Sequence, residues 1–187
     1  LGDMQTHVRQ PIFSNEIWMV EHPPVYTIGR AGDTSHHLRQ NHIPLVRTDR
    51  GGQITYHGPG QLVAYTLIEI QKFNMQPLEL VTHLENATID FLASLNIHAY
   101  SDPNRRGVYT QKQKIASIGL KMHQGRSYHG IALNISTNLK AFDDINPCGY
   151  NDLQMTNTSN YHPISITVAS TVWPRHMIKY IESKIHE

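Results

Sequence analysis

The chain has 187 residues, 39% of them apolar, and 16 Lys plus Arg set against 15 Asp plus Glu leave a formal charge of +1. That balance excludes a globally basic nucleic-acid binder, the length fits one globular domain over residues 1–187, and no apolar run approaches the roughly 20 residues of a membrane span. The lone cysteine cannot close an internal disulfide and the start lacks a basic-then-apolar signal pattern, so a soluble, cytoplasmic protein without a membrane partner is expected, with an N-terminus that Leu1 suggests is incomplete.

In chain order, short apolar runs at residues 17–20, 25–28, 45–47 and 62–70 read as strands, separated by Pro, Gly and Asn. Residues 77–94 read as a helix, because Leu80, Leu84, Ala87 and Phe91 recur at helical spacing behind Pro77. A second helix is expected over 166–185, broken or kinked by Pro174. Strands and helices mix without strict alternation, which favours a mixed α+β domain, a mixed sheet flanked by helices, over a doubly wound α/β fold.

The block from Arg50 to Gln61 holds four glycines, Gly51, Gly52, Gly58 and Gly60. Glycine is favoured where backbone must approach a ligand closely, although a twisted strand between two glycine turns would use the same residues. The block has neither the Walker nor the dinucleotide-binding spacing, and the thirteen histidines match no common metal-ligand spacing. No metal is expected.

Farther along, Gln124-Gly125 suits a tight hairpin turn. A two-residue loop there pairs Lys121 with Tyr128, Gly119 with Gly130 and Ser117 with Ala132, so these last four small residues share one face and form a trough for a ligand chain or another backbone. The other face carries Ile118, Leu120, Ile131 and Leu133 and should pack into the core. Strict alternation turns Lys114 away from the trough, unless a bulge near Ile115 reverses the phase or the lysine reaches around the strand end. Arg105, Arg106, Lys112, Lys114, Lys121 and Arg126 fall in a stretch without Asp or Glu, either a solvated hairpin surface or a dock for an acidic partner.

Cys148 stands in Asn146-Pro147-Cys148-Gly149. A free thiol with a pKa of about 8.5 is only a few per cent thiolate at neutral pH, so a nucleophilic cysteine needs a nearby cation or base; a buried, inert cysteine needs neither.

The segments Glu21-His22-Pro23-Pro24-Val25-Tyr26-Thr27, Arg50 to Gln61, Lys114 to Gly119, His129 to Asn134 and Asn146 to Tyr150 together resemble the lipoyl(octanoyl) transferase family, in that family's order. Met4-Gln5 also resembles part of its opening helix, and the resemblance fades beyond about Asn151. It implies a fold like the biotin and lipoate protein ligases. It also implies transfer of an octanoyl group from octanoyl-acyl carrier protein to a lysine of lipoyl domains, those of 2-oxoacid dehydrogenase E2 subunits and the glycine cleavage H protein, with no cofactor.

In that pattern Cys148 takes the acyl group as a thioester, while Lys114 favours the thiolate and handles protons. Arg50, Gly51, Gly52, Gln53, Ile54, Thr55, Tyr56 and His57, with Ser117, Ile118, Gly119, Gly130, Ile131 and Ala132, make the substrate-binding surface. Backbone N–H groups near Gly149 or in the glycine-rich block are candidates to hold the oxyanion. An ATP-dependent lipoate or biotin ligase, an amidotransferase working between proteins, and a silent lipoyl-domain binder are the alternatives.

Overall fold

The computed structural model describes residues 1–184. A short helix α1 (Gly2–Val8) precedes strands β1 (Glu16–Val20), β2 (Val25–Ile28), β3 (Leu45–Arg47), β4 (Ile54–His57) and β5 (Gln61–Leu67). Then come α2 (Pro77–Ser94), β6 (Tyr100–Ser101), β7 (Val108–Thr110), β8 (Gln113–His123), β9 (Arg126–Asn134) and α3 (Ile166–Ser183). The expected strands at 17–20, 25–28 and 45–47 and the helix at 77–94 are present. The run at 62–70 ends as a strand at Leu67, and Ile70–Phe73 forms a 3-10 turn.

The main sheet has the order β1-β5-β9-β8-β7-β6 with every pair antiparallel. The parallel pairing of this mixed fold lies in a three-stranded sheet, β3-β2-β4, where β2 and β3 run together. One face of the main sheet packs on α2 and α3, burying Leu62, Ala64, Ile131 and Leu133 against Leu80, Leu84, Phe91, Trp173 and Met177. The other face meets the small sheet. Alternation therefore sends Val63, Tyr65, Ser117, Gly119, Gly130 and Ala132 toward the space between the sheets.

Helix α2 starts where Pro77 needs no N–H partner and the Glu79 side chain accepts from the Gln76 amide. Leu80, Leu84, Ala87 and Phe91 are fully buried along one stripe. Helix α3 corrects the expected break: it runs unbroken through Pro174, while its predicted end at Ile185 lies outside the described residues. Proline in a helix interior costs about 3 kcal/mol. Here Ser165 caps the start by accepting from the Val168 amide, and buried Trp173 donates its indole N–H to Thr88 at 2.9 Å. Tertiary burial on α2 outweighs the local penalty.

Candidate active site

The hairpin has the expected register, with Lys121 opposite Tyr128, Gly119 opposite Gly130 and Ser117 opposite Ala132. Its loop residues Gln124 and Gly125 both have positive φ, at 48° and 79°. The phase of Lys114 is resolved by a bulge. Adjacent Val108 and Tyr109 pair with Ala116 and Lys114, so Ile115 has no partner on β7, and Lys114 turns in toward the trough end.

There the Lys114 ammonium, 2% exposed, donates to Cys148 Sγ at 3.3 Å and to the Arg106 carbonyl at 2.8 Å. Its backbone is tied on both sides, the amide to Gln154 O and the carbonyl to the Thr156 amide. Gly107 makes the room: at φ 134°, a Cβ there would stand 2.4 Å from Lys114 Cε. The Arg106–Gly107 segment is fixed from beneath by Glu85 on α2, a fully buried carboxylate that accepts from Gly107 N and from Arg106 Nη1, each at 2.9 Å. Glu85 carries no motif signature, and only its odd position on an apolar helix stripe could have marked it.

Cys148 sits in a tight turn, Pro147–Gly149, with φ 57° and ψ 14°. A non-glycine residue in this left-handed region carries about 1–2 kcal/mol of strain. The turn packs on β4 and is held by Asn146 N donating to His36 O at 2.8 Å. Gln53 lies against Gly149 and pins the adjoining loop through Ala31 O and Asp33 N. The Gly149 amide donates to Asn146 O and the Gly51 amide to Leu120 O, so both are engaged within the fold.

From Cys148 and Lys114 a cavity of about 360 Å³ extends between the two sheets. It brings together Arg50, Gly52, Gln53, Ile54, Thr55, His57, Ser117, Ile118, Gly119, Gly130, Ile131 and Ala132 of the expected surface. Gly51 and Tyr56 are not on its wall. Tyr56 is buried edge-on to Phe142 beneath the small sheet, and the Gly51 carbonyl rests against Gly119, where a Cβ would be 3.0 Å away. The trough thus receives both a backbone and a cavity. Ser117 Oγ is buried on the wall without a hydrogen-bond partner among the described residues.

Arg50 is buried in this wall, donating to Thr27 O at 2.7 Å, Thr27 Oγ1 at 2.9 Å and Gly51 O at 2.9 Å. Burial pulls its pKa down to about 10, against the opposing pull of Cys148. His57 is brought down to about 3, by burial first and then by Arg50 and its histidine neighbours, so it is neutral. Its tautomer is fixed as well. Gln61 donates its amide to Tyr56 O and Asn134 Oδ1, which leaves its Oε1 to accept from His57 Nδ1 at 2.8 Å and His57 Nε2 as an acceptor.

Sequence reasoning passed over His22, Tyr65, His129, Arg105 and Tyr150 as wall residues. His22 and His129 stand inside the matching motifs, and Tyr65 follows from its register opposite Gly130. The basic stretch 105–126 is no single surface: Lys114 is buried, Arg106 is paired with Glu85, and Arg126 is held by Glu69 and the carbonyls of Val8 and Gln10. Only part of it remains at the rim, where Arg105 lies over the Tyr150 ring at 4.4 Å. Among the described residues no cluster of His, Cys, Asp and Glu is placed to hold a metal, and no helix is long and apolar enough to cross a membrane.

The family model of the lipoyl protein ligase A/B catalytic domain matches residues 4–174. An octanoyltransferase of Pseudomonas entomophila is 45% identical over 178 residues, covering 95% of this chain and 83% of its own. One from Vibrio cholerae is 44% identical over 177 residues, 95% of this chain and 82% of its own. Among solved structures, an archaeal lipoylation system, a bi-partite lipoate protein ligase and its E2 lipoyl domain from Thermoplasma acidophilum, superimposes with a TM-score of 0.67 at 17% identity. That match covers 91% of this chain and 71% of the other, and shows a shared fold.

Proposed function

The chain belongs to the octanoyltransferases of the lipoyl protein ligase A/B catalytic-domain family, an acyltransferase family of protein lipoylation, and from that premise we propose that it carries the octanoyl group on Cys148. The donor is octanoyl-acyl carrier protein, and the acceptor is a lysine of lipoyl domains, those of 2-oxoacid dehydrogenase E2 subunits and the glycine cleavage H protein. The observation that carries the reading is the buried Lys114 ammonium 3.3 Å from Cys148 Sγ at the mouth of an acyl-sized, largely apolar cavity.

In the first half-reaction the Cys148 thiolate attacks the donor's thioester carbonyl, the new C–S bond forms, and the carrier's thiolate leaves with a proton from Lys114. One thioester replaces another of similar energy, so neither ATP nor a metal is required to activate the acyl group. In the second, the neutral amine of the acceptor lysine attacks the Cys148 thioester, forming the amide and expelling the thiolate, and the amine's proton returns to Lys114. Arg105 at the rim suits an acidic carrier, and a reducing cytoplasm suits the unpaired thiol.

Intact-protein mass spectrometry after mixing with octanoyl-acyl carrier protein, without ATP, tests the reading. A hydroxylamine-sensitive octanoyl adduct, absent from Cys148→Ser, is the expected result. No adduct on folded protein, with activity appearing only when ATP and free octanoate are added, would overturn it in favour of an adenylating ligase.

A further inference from the structure

The cavity wall away from Cys148 carries a device the mechanism does not use. In β9, His129 has φ 61°, a left-handed conformation in the middle of a paired strand. Strict alternation would send its side chain to the core face with Ile131. Its ring instead lies on the cavity wall, 95% buried, with Nε2 donating to Asp49 Oδ1 at 2.8 Å. Asp49 is itself held by Tyr128 OH at 2.5 Å and by Gln5 Nε2 of α1 at 3.1 Å. Tyr65 stands edge-on to the His129 ring, its hydroxyl bonded to His22 at 2.6 Å. Met4, on the same helix as Gln5, completes the wall, packed with Tyr128 and Leu67 and 3% exposed.

The strand register gives the length of the trough. Lys114 and Gly119 are five residues apart, and with one residue lost to the bulge the run is about 14 Å at about 3.4 Å per residue. Eight carbons in zigzag span about 9 Å, from C–C bonds of about 1.5 Å, and the C–S bond brings the reach from sulfur to about 11 Å. A chain laid along the trough therefore ends about 3 Å short of the row formed by Gly119, Gly130 and Tyr65, behind which stands His129.

We propose that His129, positioned by Asp49 and backed by Met4, is the end stop that sets the length of acyl chain the site accepts. This rests on the acyl-thioester reading above and deepens it. The strained backbone at His129 is retained because it is what turns the ring into the trough, and Asp49 with its three donors keeps the ring from swinging aside under a longer tail.

The test is acyl-enzyme formation at Cys148 from octanoyl-, decanoyl- and dodecanoyl-acyl carrier protein in wild type, His129→Gly, His129→Asn and Met4→Ala. Gly keeps the left-handed backbone without strain, and Asn tolerates it. Each further methylene buried is worth about fourfold, so the decanoyl-to-octanoyl ratio of rates should rise about 16-fold in His129→Gly, with smaller rises in His129→Asn and Met4→Ala. Asp49→Asn should relax the preference in the same direction. A ratio within twofold of wild type in whichever of these variants still take an octanoyl group would overturn the end stop and leave the thioester mechanism standing. Absence of any acyl-enzyme in the wild type would instead remove the reading on which it rests.

Discussion

Replacing Lys114 with methionine removes the ammonium while keeping most of the volume of a side chain that is 2% exposed. At the observed 3.3 Å from Cys148 Sγ, its attraction for a thiolate has a ceiling of about 5 kcal/mol at an effective dielectric near 20. Cys148 is half-exposed, so solvent reduces this, and the ammonium's own desolvation reduces it further. About 2 kcal/mol retained on the anionic sulfur corresponds to about thirtyfold in rate, at about 1.4 kcal/mol per factor of ten. The Arg106 carbonyl loses its donor in the variant, which costs about 1–3 kcal/mol of stability if no water replaces it.

The assay is quenched-flow mass spectrometry of the octanoyl-enzyme, with thermal unfolding to establish that the variant is folded at the assay temperature. Lys114→Met should acylate at least about thirtyfold slower at neutral pH. Release to the acceptor lysine should be slow as well, because the group that takes up the amine proton is gone. Acylation within threefold of wild type at pH 7 would refute the role assigned to the ion pair.

Arg105→Glu should raise KM for the carrier without lowering kcat, and the difference should fade at high salt; equal KM values at low ionic strength would exclude Arg105 from docking. Arg106 is unsuitable for that experiment, since reversing it would set a second carboxylate against buried Glu85 and lower Tm. Gly130→Ala should unfold or severely destabilise the protein, because its Cβ would stand 2.0 Å from the backbone oxygen of Ala64, and a Tm within 3 °C of wild type would contradict the packing. His57, neutral in the fold down to about pH 3, binds its proton near pH 6.5 once unfolded. Its contribution is whole above pH 6.5 and is lost as pH falls toward 3, so denaturant melts of His57→Gln should show a shallower loss over that window.

The strands, the α2 stripe and the hairpin register were legible because they rest on local periodicity and one turn. Gln124-Gly125 fixes every pair from Lys121–Tyr128 to Ser117–Ala132 once the loop length is known. The continuity of α3 was not legible, since Pro174 speaks for a break and only the burial of Trp173 and Met177 on α2 overrules it. Most of the wall residues were legible through their motifs. Glu85 and Asp49 were not, because each acts on a residue far away in the chain: Glu85 on Arg106, Asp49 on His129.

Regular alternation cannot build this site, and the departures from it fall where the chemistry requires them. On an unbulged β8, Lys114 and Ser117 would face opposite sides, and either the trough or the ammonium would be lost to the core. The unpaired residue at Ile115 allows both to face the cavity, while Ile115 itself stays fully buried. The left-handed backbone at His129, in the middle of β9, does the same for the imidazole, and the one at Cys148 sets the turn that carries the thiol. Three irregularities on an otherwise regular scaffold thus place the lysine, the thiol and the end wall. Each can be tested alone, because an acyl-enzyme reports the first two by its rate and the third by the length of chain it carries.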